Sequence, residues 1–339
     1  MFQKLSFLFF AVLILAASCA RQLGNSGKYM MVQGFTQGTT WHVTYKSING
    51  EDLKLQIDSI LAAFDNSMSA YNKQSQLTKI NNNDSTIRVD RFFSDIFDNS
   101  LYLYNISGGM FDPTVSPLVS IWGFGKHQDL HRPSQSELDS ILQFVGFNKV
   151  TIQDGRVIKQ DPRIKLIFNA NAQGYSVDVV SRWFDERGCH DYLVEIGGEV
   201  FAKGLNREGK PWRVGIDSPI DGSNEDNRVI QAIVPLTDGK SLCTSGNYRN
   251  YFIEDGVKYS HELDPLTGYP KRDSLLSVAI IAPTAVLADG LATTVMVLGM
   301  ERGFRLIDSL PDTEGYFIYT GKNGEFTTTA TAGFVTEEL

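Results

Sequence analysis

The 339-residue chain carries 31 Lys and Arg against 39 Asp and Glu, a formal net charge of −8, with 42% hydrophobic residues and three cysteines. No block of basic residues interrupts this acidic balance, which argues against a nucleic-acid partner. The length exceeds that of a typical single domain, yet no Pro/Ser-rich linker or charge run divides the chain, so one unit with two lobes is the economical reading.

In chain order, the first signal is Lys4 followed by an apolar run from Leu5 to Ala17 that ends at Ser18-Cys19. The run falls short of the roughly 20 residues needed to cross a bilayer and reads as a secretion signal. Leu15-Ala16-Ala17-Ser18-Cys19 resembles a bacterial lipobox. The expectation is therefore a cleaved signal over 1–18, a lipidated Cys19 and a polar tether over 19–28, on a protein anchored in the bacterial cell envelope and facing the periplasm. An ordinary cleaved signal with an incidental cysteine is the alternative. Cleavage removes one Lys and no acid, moving the charge from −8 to −9. Cys189 and Cys243 then remain; they could form one disulfide in an oxidising compartment but lack the spacing of a metal site, and they are expected as two buried or free thiols.

Leu53, Ile57, Ile60, Leu61 and Phe64 recur at helical spacing and predict an amphipathic helix. A second helix is expected over Ser94 to Ser107, stopped by Gly108-Gly109. A third begins at Ser134, whose Glu137 completes a capping box. Val177, Val180, Trp183 and Phe184 give another, with Gly188 as its C-cap. Strands are expected at Tyr192–Glu195, Trp212–Ile216, Val229–Val234, Ser277–Ala282 and Tyr316–Tyr319, all rich in β-branched and aromatic residues. Helices and strands do not alternate in strict βαβ order, so the class is α+β, with mixed sheets flanked by helices in one compact two-lobed unit.

Thr284 to Met300 reads as a helix capped by Thr284 and apolar nearly all round, with Asp289 inside it and Thr293 one turn on. A buried carboxylate needs a cation or a donor, and a hard cation would accept this pair as half a site. On spacing alone the blander alternative is the stronger: Thr293 bonds back to the Asp289 carbonyl and Asp289 pairs with a basic side chain. His261 precedes a tight Asp264-Pro265-Leu266-Thr267-Gly268 turn and is a candidate general base, although a surface-loop histidine explains it as simply. Thr244-Ser245-Gly246-Asn247-Tyr248 offers backbone amides to an anion. Gly197-Gly198-Glu199 offers a close backbone approach or merely a turn.

Taken together, these segments resemble the ApbE family of FAD:protein FMN transferases. The strings that carry the likeness begin with Thr36-Gln37-Gly38-Thr39-Thr40-Trp41, Met68-Ser69-Ala70-Tyr71, Phe111-Asp112-Pro113-Thr114-Val115-Ser116-Pro117-Leu118 and Trp122-Gly123-Phe124-Gly125. They continue with Asn169-Ala170-Asn171-Ala172-Gln173-Gly174-Tyr175-Ser176-Val177-Asp178, Gly197-Gly198-Glu199, Thr244-Ser245-Gly246, the His261 turn and Ala288-Asp289-Gly290-Leu291-Ala292-Thr293. The likeness implies Mg²⁺ held by the Ala170 carbonyl, Asp289 and Thr293, which reverses the blander reading of Asp289. It places FAD, as substrate, against Gln37, Tyr71, Met110, Phe111, Asp112, Gln173 and Leu263, and makes His261 the proton acceptor.

The implied reaction moves FMN from FAD onto a Thr or Ser hydroxyl of an acceptor protein and releases AMP. By the same likeness the acceptor is a subunit of a sodium-pumping NADH:quinone oxidoreductase or an Rnf-type complex. Four positions depart from the pattern. Ile167 stands where many members have an aspartate, Gln173 where Lys or Glu is frequent, Gln37 where Met is common, and Ala292 where some members carry a second carboxylate. The alternatives are a periplasmic Mg²⁺-dependent pyrophosphatase that gives FMN and AMP, and a non-enzymatic flavin-binding lipoprotein.

Overall fold

Alternation sets Val32, Trp41, Val43 and Tyr45 on one face of a hairpin, β1 (Lys28–Thr36) and β2 (Thr39–Ser47). The computed structural model describes residues 27–337 apart from 48, 125–131, 221–227, 248–250, 255–256 and 272. The expected signal, the Cys19 anchor and residues 19–26 lie outside the described residues. Lys28, expected in the tether, instead opens β1.

The helices α1 (Lys54–Met68), α2 (Gln76–Asn81), α3 (Arg91–Ile106), α4 (Ser116–Ile121) and α5 (Gln135–Leu142) follow, then β3 (Val150–Gln153), β4 (Arg156–Lys159) and α6 (Ala172–Glu186). Six strands come next: β5 (Tyr192–Ile196), β6 (Glu199–Lys203), β7 (Trp212–Asp217), β8 (Ile230–Leu236), β9 (Lys240–Gly246) and β10 (Tyr251–Glu254). The chain closes with β11 (Val257–Ser260), β12 (Leu275–Ala282), α7 (Ala285–Leu298), α8 (Met300–Ser309), β13 (Glu314–Thr320) and β14 (Phe326–Ala330).

Eight strands form one sheet in the order β1-β2-β5-β6-β9-β12-β13-β14, and three two-stranded ribbons stand apart, β3-β4, β7-β8 and β10-β11. The α+β class is as expected. Every described pairing is antiparallel, a sharper arrangement than mixed sheets. One sheet face carries Trp41, Val43, Val194, Ile196, Cys243, Val278 and Ile280, which pack under α1, α6 and α7. The other face, through Val200, Ala202, Leu242 and Ala279, packs on the β7-β8 ribbon. A separate cluster of Leu118, Trp122, Leu138, Tyr259 and Leu263 holds α4 and α5 against the segment that contains His261.

Local chemistry explains most boundaries. Ser134 and Glu137 form the expected capping box at α5. Helix α3 starts three residues before the expected Ser94, because the Asp90 carboxylate accepts the Phe93 amide and caps it. Helix α6 ends at Glu186 and is capped by Arg187, one residue before the expected Gly188, which follows at φ +70°. The β1-β2 turn is Gln37-Gly38, with φ of +51° and +79°. Two positive φ values suit the twist of a two-residue hairpin, and Gln37 takes the first of them without glycine's freedom.

Candidate active site

Helix α7 is buried on nearly every side, as its composition requires. It crosses α6 so closely that a Cβ on Gly174 would lie 2.2 Å from the Ala285 carbonyl oxygen and 2.7 Å from the Asp289 Cβ. Glycine at 174 therefore permits the crossing, and its amide donates to Asp289 Oδ2 at 2.8 Å. Asp289 is 5% exposed. Burial, with the nearby carboxylates of Glu199 and Asp178 adding to it, holds its carboxyl well above the usual range. Among the described residues no Lys, Arg or His forms an ion pair with Asp289. The basic partner of the blander reading is not found there.

The Thr293 hydroxyl does not bond back to the Asp289 carbonyl. It lies 3.4 Å from the Ala170 carbonyl oxygen and 3.4 Å from Ser245 Oγ, while Thr294 makes the back-bond, to Gly290. Of the three expected metal donors, Thr293 and Ala170 meet at 3.4 Å, and Asp289 lies one turn before Thr293 on α7. All are oxygens and one is a buried carboxylate without a cationic partner, which is the donor chemistry that suits a hard cation.

Beside this crossing, a cleft of about 190 Å³ is lined by Gln37, Phe64, Asp65, Met68, Ser69, Ala70, Tyr71, Asn169, Ala172 and Gln173. Three of the expected flavin contacts, Gln37, Tyr71 and Gln173, therefore line the same cleft, with Tyr71 63% exposed. The Gly197-Gly198 turn between β5 and β6 supports it. Gln173 Nε2 donates to the Ile196 carbonyl at 3.1 Å, and a Cβ on Gly197 would overlap that amide at 1.5 Å.

Met110, Phe111, Asp112 and Leu263 do not line this cleft. Met110 packs on Val297 and Leu298, Phe111 lies in the main core, and Leu263 packs with Leu118 and Trp122. The Asp112 carboxylate accepts the Thr114 amide and hydroxyl at 2.7 and 2.6 Å and the Phe147 amide at 3.1 Å, so it shapes its own turn. Ile167 donates its amide to the Pro113 carbonyl at 2.8 Å, which ties down the same segment.

His261 is 40% exposed at its side chain, with Nδ1 3.4 Å from Glu262 Oε1. The turn after it is braced as its sequence suggests. Asp264 Oδ1 accepts the Leu266 and Thr267 amides at 2.8 and 3.2 Å, and Trp122 Nε1 donates to the Gly268 carbonyl at 2.7 Å. A histidine on such a braced segment keeps its direction.

Three residues of the site carried no role, or a different one, in the sequence reading. The expected cap Thr284 makes no side-chain capping bond; Asp178 Oδ1 and Oδ2 instead accept the Ala285 and Val286 amides, both at 2.8 Å. Burial pushes the Asp178 carboxyl up to about 6. Only a three-dimensional crossing of α6 and α7 reveals this cap, since 107 residues separate the partners. Asp178→Ala leaves those buried amides without an acceptor, a loss of about 1–3 kcal/mol. Calorimetry should show a midpoint lower by about 2–4 °C for each kcal/mol lost, whereas an unchanged midpoint would contradict the cap.

Glu199, 9% exposed, accepts the Thr244 amide at 3.3 Å, and burial pushes its carboxyl above the usual range. The Asn247 amide donates to the Leu276 carbonyl at 3.0 Å. The amides of Thr244 and Asn247 are thus engaged inside the protein, and the expected anion-binding loop is the paired end of β9. Tyr248 lies outside the described residues.

The ApbE family profile matches residues 37–317. The chain belongs to the ApbE family. A Vibrio cholerae FAD:protein FMN transferase is 36% identical over 307 residues, covering 88% of this chain and 89% of that protein. The Escherichia coli K12 protein of the same name is 36% identical over 287 residues, with 82% and 80% covered. Among solved structures, the flavin transferase ApbE from Vibrio cholerae superposes with a TM-score of 0.79 at 33% identity, covering 91% of this chain and 98% of that one. The apo flavinyl transferase ApbE of Pseudomonas stutzeri gives 0.79 at 33% identity, covering 90% and 95%. The ApbE architecture therefore extends over nearly all of the described fold.

Proposed function

We propose that this protein is an FAD:protein FMN transferase that moves FMN from FAD to a Thr or Ser hydroxyl of an acceptor protein, with Mg²⁺ held by the Ala170 carbonyl, Asp289 and Thr293. The observation that carries the reading is the Gly174–Asp289 hydrogen bond. It joins the buried carboxylate directly to the residue after Gln173, and so joins the cation donors to the flavin cleft. A bound cation would neutralise charge on the pyrophosphate oxygens.

The protein's own groups do the rest. Gln37, Tyr71 and Gln173 orient the flavin. His261 accepts the proton of the acceptor hydroxyl as that oxygen bonds to the phosphorus on the FMN side and the bond to the AMP oxygen breaks. Product analysis tests the assignment. Transfer yields one AMP per protein-bound flavin, whereas AMP matched by free FMN, with acceptor present and unlabelled, would make the protein a hydrolase.

The setting belongs to the same proposal. Cys19 carries lipid, residues 1–18 are removed, and the enzyme faces the periplasm from a membrane anchor. The acceptor is a subunit of a sodium-pumping NADH:quinone oxidoreductase or an Rnf-type complex. Cys19→Ser should abolish palmitate labelling and release the protein from stable anchoring, because multiple acyl chains are needed to hold a protein firmly. Palmitate incorporation undiminished in that variant would rule out the anchor.

A further inference from the structure

Ser245 has no role in the assignment above, yet its side chain points at Thr293, one of the proposed cation donors. Cys243, two residues earlier on β9 and hence on the same face, is buried against α7 and donates its thiol to the Ala285 carbonyl at 3.5 Å. Ser245 therefore also faces α7, and its Oγ stands 3.4 Å from Thr293 Oγ1. Thr293 Oγ1 is in turn 3.4 Å from the Ala170 carbonyl oxygen. The Thr293 hydroxyl thus has an oxygen from a strand and one from the segment before α6 each at 3.4 Å.

The distances are informative. Hydroxyl hydrogen bonds settle at about 2.7–2.8 Å, so these oxygens are assembled without bonding tightly to one another. Neighbouring ligands of an octahedral Mg²⁺, each at about 2.1 Å, stand about 3 Å apart, within a few tenths of an ångström of what is seen. The backbone beneath is rigid: the Ser245 carbonyl accepts the Ser277 hydroxyl at 3.0 Å, and the preceding amide is held by Glu199.

We propose that Ser245 Oγ is a fourth protein oxygen on the bound cation, an inference that rests on the cation site proposed above. The test uses the mature chain with saturating FAD and Mn²⁺ as the probe, free Mn²⁺ being counted by electron paramagnetic resonance. Wild type should bind one Mn²⁺ and Ser245→Ala should bind it roughly tenfold more weakly, within the range seen when supports of a metal site are removed. Ser245→Cys should favour a soft cation and show a thiolate-to-cadmium absorption band absent from wild type, whose Cys189 and Cys243 serve as the background. Unchanged Mn²⁺ affinity in Ser245→Ala, with no cadmium band in Ser245→Cys, would overturn the role of Ser245 alone. Failure of wild type to bind Mn²⁺ would overturn the cation site itself. Weaker FAD binding at unchanged Mn²⁺ affinity would assign the hydroxyl to a phosphate and also refute the proposal.

Discussion

Asp289→Asn is expected to cut FMN transfer by at least 100-fold at low Mg²⁺ and to restore part of it at high Mg²⁺. The substitution keeps the shape that accepts the Gly174 amide but removes the one formal charge among the proposed cation donors. Electrostatic stabilisation of developing charge is worth about 10²–10³ in rate when a single well-placed group is lost. FAD affinity should fall less than turnover, because the charge matters most as the pyrophosphate bond breaks.

The sign of the pH dependence follows from burial. The Asp289 carboxyl is held well above the usual range, so a cation must displace a proton to bind. Apparent Mg²⁺ affinity should therefore rise with pH in wild type and respond less in the variant. An unchanged Mg²⁺ requirement in Asp289→Asn would make this carboxylate a structural partner of Gly174 and place the cation elsewhere.

His261→Ala should have an effect of similar size on chemistry and little on binding. General-base loss is typically worth about 10²- to 10⁴-fold. The variant should keep FAD, since Gln37, Tyr71 and Gln173 line a cleft that does not include residue 261. The fold should survive, because Asp264 and Trp122 brace the following turn without the imidazole. Transfer within a few-fold of wild type would reduce His261 to a part of that loop.

The legible features were those set by local pattern. An apolar helix with a single internal Asp announces both burial and a charge in need of a partner, and α7 is that helix. The Ser134–Glu137 box and the five named strands follow from capping and β-branched runs. Hidden features depend on contacts between distant residues or on unusual turns. The first hairpin lacks the Asn-Gly or Asp-Gly signal because Gln37 itself takes the left-handed conformation. Asp178 caps α7 across the helix crossing, which no window of sequence contains. Ser245 was read for its backbone, whereas the register of β9 turns its hydroxyl toward Thr293. Motif likeness brought Met110, Phe111, Asp112 and Leu263 into the site without revealing that their side chains serve packing and turn formation.

Covalent flavin on an acceptor tests the central claim most directly. The purified mature chain is incubated with FAD, Mg²⁺ and an acceptor domain bearing a flavinylation threonine. The mixture is then denatured, separated by electrophoresis and read for in-gel flavin fluorescence. The account predicts a fluorescent acceptor band that survives denaturation, appears only with enzyme and FAD, and is absent when the acceptor threonine is replaced by alanine. FAD consumed to AMP and free FMN, with the acceptor dark, would contradict it.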